Sequence, residues 1–423
     1  MHNNPDSSFR NTHPLTLLEL SSDTSIVKTK KVCNAKNDLS LELLFLIACC
    51  QTEPSQNDID TIRSFLNAEH LTLHTLISLA NQHGILPLIY KTLSSLNAEL
   101  LTLNTFLSEL KARYMSISKR NMFMSAELIH IMTLFEKNHI DMLAFKGPAL
   151  AKSAYGDITL RQFGDLDILV KPKDLPKIME CMLSEGYVPD VKIPPKESAY
   201  YYTLLTTIGF DKRPNNMRIE IHWELLSQNY AVAWKSTTLW QCTDEVEINH
   251  RNIPAMAFEK QLIYLCLHGS KHLFERIEWI CDIDRSVRMQ EKIDWHYIIT
   301  TSKELGVFRM LLLGLSLASD LIGLSLPKEI TQAIRKDSTL PGLKKKIVSS
   351  YSAKHGKNTV DRSYFFTVMQ MREHPSDRLR FAWQALFATQ FNDINYIRLP
   401  RYLYFLYPLV RLYRLVEKYF TKK

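Results

Sequence analysis

Glycine is scarce, with 12 residues in a chain of 423. That scarcity argues against a glycine-rich dinucleotide-binding domain and against an all-β chain built on tight turns. No run of about 20 uncharged apolar residues occurs, so no membrane span is expected. Met1 to Asp23 is polar and has no apolar signal core. The seven cysteines are odd in number and include no Cys-x-x-Cys pair, which speaks against a disulfide scaffold or a cysteine-based metal site. Cys49, Cys50 and Cys266 sit inside apolar helical pattern, where a free thiol behaves as a small hydrophobe. A reducing cytoplasm is the location this usage implies. Neither an internal repeat nor a low-complexity segment is present.

What the chain does contain is ordinary for a globular protein, 46% hydrophobic and 23% charged residues, with leucine-rich helical periodicity predominating. The net charge of +8 is unevenly placed. From Arg398 to Lys423 there are seven basic residues against the single acid Glu417, so the rest of the chain is close to neutral and is no general nucleic-acid platform. Within that tail Arg411, Arg414, Lys418 and Lys422 are spaced by three and four, a basic stripe on one helical face, beside aromatic and apolar residues from Tyr402 to Tyr419. The reading preferred is a C-terminal helix docked on the body with its charged face in water. The alternative is peripheral contact with an anionic membrane or with nucleic acid.

The expected fold class is α+β and predominantly helical, with a small mixed sheet flanked by helical regions. Residues 1–36 read as a disordered leader, 37–138 as an N-terminal helical region, and 139–252 as an α/β core. A C-terminal helical domain is expected over 253–397 and the basic amphipathic helix over 398–423. Leu100 to Asn138 has helical spacing with neither Pro nor Gly, which predicts one or two long helices. In the core, Asp141 to Phe145 reads as a buried strand, Lys146-Gly147-Pro148 as a turn, and Ala149 to Tyr155 as a helix, with Pro148 where a first helical turn accepts it. Leu166 to Val170 is a second strand, and Asp174 is expected to cap a helix ended by Gly186. Tyr200 to Phe210 reads as a strand leading through a turn to the strand Met217 to Trp223, and a further strand is expected near Glu245 to His250.

The acidic residues of this core carry the chemistry. Asp165 and Asp167 are two apart at the start of a strand, so alternation puts both carboxylates on one face, about 7 Å apart. Hard oxygen ligands of this kind suit magnesium, which often takes one or two carboxylates together with substrate phosphates. An Asp-x-Asp pair is also common as a solvated strand end. Context separates the two readings: Gly164 and Arg161 precede the pair, a Lys-Gly turn follows the earlier strand, and Glu220 lies in a later strand with Arg218 and His222 on its face. With the two strands as neighbours, Glu220 completes a three-carboxylate site able to hold two cations, one gripping a triphosphate and one lowering the pKa of an attacking hydroxyl.

The arrangement Phe145-Lys146-Gly147-Pro148-Ala149-Leu150, Arg161-Gln162-Phe163-Gly164-Asp165-Leu166-Asp167-Ile168-Leu169-Val170 and Glu220-Ile221-His222-Trp223 resembles the nucleotidyltransferase family NTP_transf_5, within the DNA polymerase β-like superfamily. Flanking stretches from Ser78 to Leu88, from Leu265 to His272 and from Trp279 to Ile283 resemble its helical parts, so the likeness spans roughly residues 40–390. The resemblance implies a nucleotidyltransferase core and a bacterial enzyme of EC 2.7.7 type. Such an enzyme moves an NMP from an NTP to an acceptor hydroxyl on a small molecule, a peptide or protein, or RNA, with Mg2+ or Mn2+ and release of pyrophosphate. It implies Asp165, Asp167 and Glu220 as catalytic residues and metal ligands, and Lys146, Gly147, Arg161 and Gly164 as nucleotide-binding residues. Where the superfamily has a Gly-Ser turn this chain has Lys146-Gly147, with Lys146 a point charge for a phosphate and Gly147 permitting close backbone approach. That departure keeps open a catalytically inactive interaction protein of the same fold.

His222 and His268 are acceptor-side candidates. His268 and His272 are four apart on a helix, and without the glutamate of a His-Glu-x-x-His motif they read as cleft-lining polar residues rather than a zinc pair. Asp282 and Asp284 lie in helical pattern, and structural pairing with Arg276, Arg285 or Arg288 is expected.

Overall fold

The computed structural model describes residues 39–52, 54, 56–66, 73–96, 104–212, 217–352 and 360–418; the leader expected over 1–36 lies outside them. Five helices come first: α1 (Leu41–Cys49), α2 (Gln56–Leu66), α3 (Leu73–Gln82), α4 (Leu86–Ser95) and α5 (Asn104–Lys137). Ser40 caps α1 by accepting from the Leu43 amide, one of the donors that a helix start leaves unpaired. The long apolar-periodic stretch is the single 34-residue helix α5. Two residues past its end, His139 takes the left-handed region at φ 52°.

The core alternates strands and helices: β1 (Met142–Ala144), α6 (Gly147–Tyr155), β2 (Asp165–Val170), α7 (Leu175–Ser184), β3 (Val188–Pro189), α8 (Ser198–Leu204), β4 (Thr207–Lys212), β5 (Met217–His222), β6 (Thr243–Ile248) and β7 (Arg251–Met256). The strands form one mixed seven-stranded sheet in the order β3-β4-β5-β2-β1-β7-β6. β2 runs antiparallel to β1 and parallel to β5. The fold is thus α+β and predominantly helical, as expected.

Three local readings change. The aromatic run expected as a strand over Tyr200 to Phe210 is helix α8 followed by β4. Its tyrosines pack by helical spacing: Tyr201 is buried with Ile394 and Tyr407, and Tyr200 stacks on Tyr404 at 4.3 Å. Asp174 sits at the N-cap of α7 but its side chain makes no capping bond, because a 3-10 turn over Pro172–Asp174 leads into the helix. The strand expected near 245–250 is β6, and β7 follows it, pairing parallel to β1 at Ala144↔Ala255. Pro254, a residue that interrupts most central strands, hides β7 from pattern reading, and the sheet continues past residue 252, where the core was expected to end.

The remaining helices are α9 (Phe258–Lys271), α10 (Glu278–Arg288), α11 (Trp295–Glu304), α12 (Phe308–Leu317), α13 (Lys328–Lys336), α14 (Leu340–Ser352), α15 (Val360–Gln370), α16 (Pro375–Phe387), α17 (Phe391–Tyr396) and α18 (Tyr407–Val416). One apolar core joins Phe45, Leu46 and Ile89 of the first helices to Leu267, Ile280 and Leu311 of the later ones. A second lies between the sheet and α5 and α7, with Ile168, Ile219, Phe135 and Met182. No helix among the described residues is long and apolar enough to cross a membrane.

The basic stripe of the tail faces water only in part: Lys418 is exposed as expected, but two of its arginines turn inward. Arg411 is buried and donates to the Ala385 carbonyl, and Arg414 Nε lies 2.7 Å from Asp393 Oδ1. Asp393 is fully buried and draws both guanidinium groups inward, since a buried carboxylate needs paired charge. Leu409, Tyr413 and Val416 are exposed instead. Lys422 lies outside the described residues.

Candidate active site

Parallel pairing of β2 with β5 places Asp165 opposite Arg218 and Asp167 opposite Glu220. Neighbouring strands lie about 4.8 Å apart, so Asp167 and Glu220 project side by side from one face. His222, two residues beyond Glu220, joins them. Its Nε2 is 3.1 Å from Asp167 Oδ1 and 3.5 Å from Glu220 Oε2. One ligating atom from each of Asp167, Glu220 and His222 falls within 4.8 Å of the other two. Asp165 is outside that group; it is half-buried and lines the adjoining cleft.

The Lys146-Gly147 turn closes on the same carboxylates. Gly147 opens α6 at φ +54°, and a Cβ there would stand 3.2 Å from the Asp165 carbonyl oxygen. The turn therefore needs glycine both for its backbone angle and for its approach to β2. Lys146 Nζ lies 3.6 Å from Asp167 Oδ1 and over the faces of Tyr264 and Phe145, at 5.5 and 5.9 Å. The Phe145 ring stands edge-on to His222 at 5.2 Å.

These charges set one another. Burial works against ionising Asp167, but Lys146 and His222 outweigh it and its pKa falls. Asp165 moves the other way, raised by burial and by the Asp167 charge. The hydrogen bond from His222 lowers Glu220 against the cost of burial. Burial disfavours the charged forms of Lys146 and His222, yet the neighbouring carboxylates raise both. Opposed shifts of this kind on adjacent groups occur at binding and catalytic sites and in structural ion-pair networks alike.

The face bearing Asp167 looks into a cleft of about 410 Å³. Its opposite wall is α9, α10 and the turn between them, which present His268, His272, Arg276 and Trp279. His268 and His272 sit against Trp279, with ring centroids 5.2 and 5.4 Å away. Burial and then Lys146 push His268 well below the ordinary histidine range, and burial and Lys271 bring His272 down to about 4. Both are neutral, cleft-lining imidazoles. Glu220 and His222 are not among the residues that line the cleft, and among the described residues His268 and His272 belong to no metal-ligating group with them.

Arg161 lines the cleft, but its guanidinium grips Asp282 with two bonds, of 2.8 and 3.0 Å, and Tyr155 donates to the same carboxylate at 2.8 Å. Asp282 thus has a structural partner, as expected, but that partner is Arg161; Asp284 pairs with Arg288 at 2.8 Å. Two residues of α5 complete the site and are not legible in the sequence. Asn121, fully buried, donates to the carbonyls of Ile158 and Arg161. Arg120 Nη2 donates to the Gly164 carbonyl at 2.9 Å and faces the cleft. Both bonds pin the loop before β2 to a helix about 40 residues earlier in the chain, a distance no local pattern records. Arg218 is fastened by Asp190 at 2.6 Å, Asp211 at 3.4 Å and Glu220 at 3.1 Å.

The donors assembled around Asp167 are two carboxylates and an imidazole, fixed by sheet register and close enough to share one divalent cation, and Asp165 adds a carboxylate on the cleft side. A search of curated proteins finds no match. Among solved structures, the lincosamide antibiotic adenylyltransferase LnuA with lincomycin bound is similar at 18% identity, over 39% of this chain and 97% of that one. The TM-score of 0.27 is too low to carry any inference. A family model described as an uncharacterised nucleotidyltransferase, NTP_transf_5, matches residues 69–323, more than half of the chain and inclusive of every residue of the site. The chain belongs to that nucleotidyltransferase family.

Proposed function

We propose that this protein transfers an NMP from an NTP to an acceptor hydroxyl and releases pyrophosphate. The observation that carries the reading is the register that seats Glu220 beside Asp167, with Lys146 Nζ 3.6 Å from the same carboxylate. Asp165, Asp167 and Glu220 would hold divalent metal, Mg2+ or Mn2+. When bound, such an ion neutralises phosphate charge and lowers the pKa of a bound hydroxyl. Lys146 supplies a positive charge to a phosphate, and Gly147 and Gly164 let backbone come close to it. Arg120, facing the cleft, is better placed for a phosphate than Arg161, whose fork is occupied by Asp282. The cleft's roughly 410 Å³ lies in the range of small-ligand sites, about 300–1,000 Å³, and suits a nucleotide. His222 on the sheet side and His268 on the helical side are the acceptor-side candidates. As a neutral imidazole, His268 can hydrogen-bond a hydroxyl held against α9, while burial and Lys146 disfavour its taking up the proton. Free cysteines buried among apolar residues, Cys49 and Cys266 for example, support a reducing cytoplasm.

One observation favours a second reading. The turn beside Asp167 carries Lys146-Gly147 with no serine hydroxyl to hold a triphosphate, and Lys146 pairs with Asp167 at 3.6 Å, an arrangement an inactive descendant could also carry. Thermal shift with each of the four NTPs, in Mg2+ or Mn2+, separates the two. The active reading expects a metal-dependent rise in Tm that Asp165→Asn/Asp167→Asn removes. No shift with any NTP and either metal would leave the inactive reading standing.

A further inference from the structure

The three-carboxylate expectation leaves His222 as a neighbour of the metal site. The geometry points to more: we infer that His222 Nε2 is itself a metal ligand, so that the ion held by Asp167 and Glu220 has a nitrogen donor and is a transition divalent cation of the manganese class in preference to magnesium. The inference rests on the metal-dependent reading above and deepens it.

Four observations support it. First, the ring nitrogen facing both carboxylates is Nε2, and it meets Asp167 Oδ1 at 3.1 Å and Glu220 Oε2 at 3.5 Å. Bonds of about 2.1 Å to nitrogen or oxygen put adjacent ligands of an octahedral ion about 3 Å apart. The Asp167–His222 separation is of that size, and one ligating atom from each of the three residues fits inside 4.8 Å. Second, the ring is held. Phe145, almost fully buried, stands edge-on to it at 5.2 Å, and His222 itself is only 9% exposed. Third, strand alternation puts Glu220 and His222 on the same face of β5, beside Asp167 of β2. All three donors thus come from rigid sheet rather than from loops, as a selective metal site requires. Fourth, Asp165, the carboxylate expected to share the ion, lies outside the group while His222 lies inside it.

The donor types then decide the ion. Magnesium prefers oxygen ligands and keeps much of its water, whereas imidazole suits the later first-row metals. Two carboxylates with one imidazole form a mixed set whose nitrogen raises affinity for first-row transition ions above magnesium, least for manganese at the foot of the series and more for the later metals. The competing role for His222 is a hydrogen-bond donor that orients Asp167 and never touches the ion.

Pulsed electron paramagnetic resonance of Mn2+ bound to the full chain distinguishes them, because a directly bonded 14N modulates the manganese echo and a hydrogen-bonded one two bonds further out does so far more weakly. The expected result is a directly bonded nitrogen that changes to the 15N pattern when the intact wild-type chain is labelled with [15N]histidine. The signal should vanish in His222→Gln, and the Mn2+ affinity of that variant should fall on the order of tenfold while Mg2+ affinity changes less. The labelled wild type needs no substitution, so poor folding of the variant does not blunt the test. Mn2+ bound in an Asp167-dependent way but with no bonded nitrogen would overturn the inference and leave the metal-dependent reading intact. No Asp167-dependent Mn2+ binding at all would overturn both.

Discussion

Gly147 has room for a hydrogen and little else. Its φ of +54° and the Asp165 carbonyl 3.2 Å from where a Cβ would lie penalise any side chain. Gly156, at the other end of the same helix, has φ +71° but nothing within 4 Å. The pair separates backbone strain from crowding at the site. Gly147→Ala and Gly156→Ala should each lower stability by about 1–2 kcal/mol in denaturant unfolding, from the left-handed conformation alone. Only Gly147→Ala should also weaken NTP-dependent stabilisation, because only it pushes the Lys146 turn away from β2. Equal loss of the nucleotide response in both variants would show that the turn's approach to Asp165 is irrelevant to binding. At this scale the sequence was informative where chemistry is local. Asp165 and Asp167 alternate on one strand, and Glu220 and His222 do the same on another. It was silent where the partner is remote: the grip of Arg161 on Asp282 spans 121 residues, and that of Arg120 on Gly164 spans 44.

At the scale of elements, α10 is the joint between the helical wall and the first helices. The Glu278 amide donates to the His83 carbonyl at 3.1 Å, and the Glu278 carboxylate lies where a Cβ on Gly84 would be. Thr52 and the Cys50 carbonyl hold Asp284 and Arg285 of the same helix. Burial raises the Glu278 carboxyl to about 7, outweighing the favourable charges of Arg161 and Arg276. A carboxyl raised in the folded state contributes stability that is fully present below its unfolded pKa, about 4.3, and is lost as pH rises through the folded value. From pH 5 to 8 the wild type should therefore lose about 2–3 kcal/mol relative to Glu278→Gln. Denaturant unfolding of both proteins at the two pH values measures this, and parallel curves would mean that Glu278 titrates normally. Element type was readable for the long helices and for β1, β2 and β5, whose periodicity is strong. It misled at Tyr200–Leu204, where aromatic and β-branched composition suits a strand but the side chains pack as a helix against Ile394 and Tyr407. It missed β7, where Pro254 interrupts the pattern.

For the whole molecule, the sheet's carboxylate face and the helical wall of α9 and α10 enclose one cleft, and a core shared by early and late helices holds that wall in place. The tail follows the same logic of burial: Asp393 turns two arginines of the expected basic stripe inward, leaving that face less suited to a polyanion than its charge count suggests. Charge counted along a sequence does not say which way a guanidinium points once a buried carboxylate is within reach. The family likeness and the site geometry converge on nucleotidyl transfer, and the direct measurement follows the label. Bacterial lysate is incubated with the wild type or Asp167→Asn, with Mn2+ or Mg2+, and with NTPs labelled at either the α- or the γ-phosphate. Nucleotidyl transfer predicts α-label on an acceptor with equimolar pyrophosphate, γ-label only in pyrophosphate, and neither with Asp167→Asn. Acceptor labelled from the γ-phosphate, or α-label transferred equally by both proteins, would contradict it.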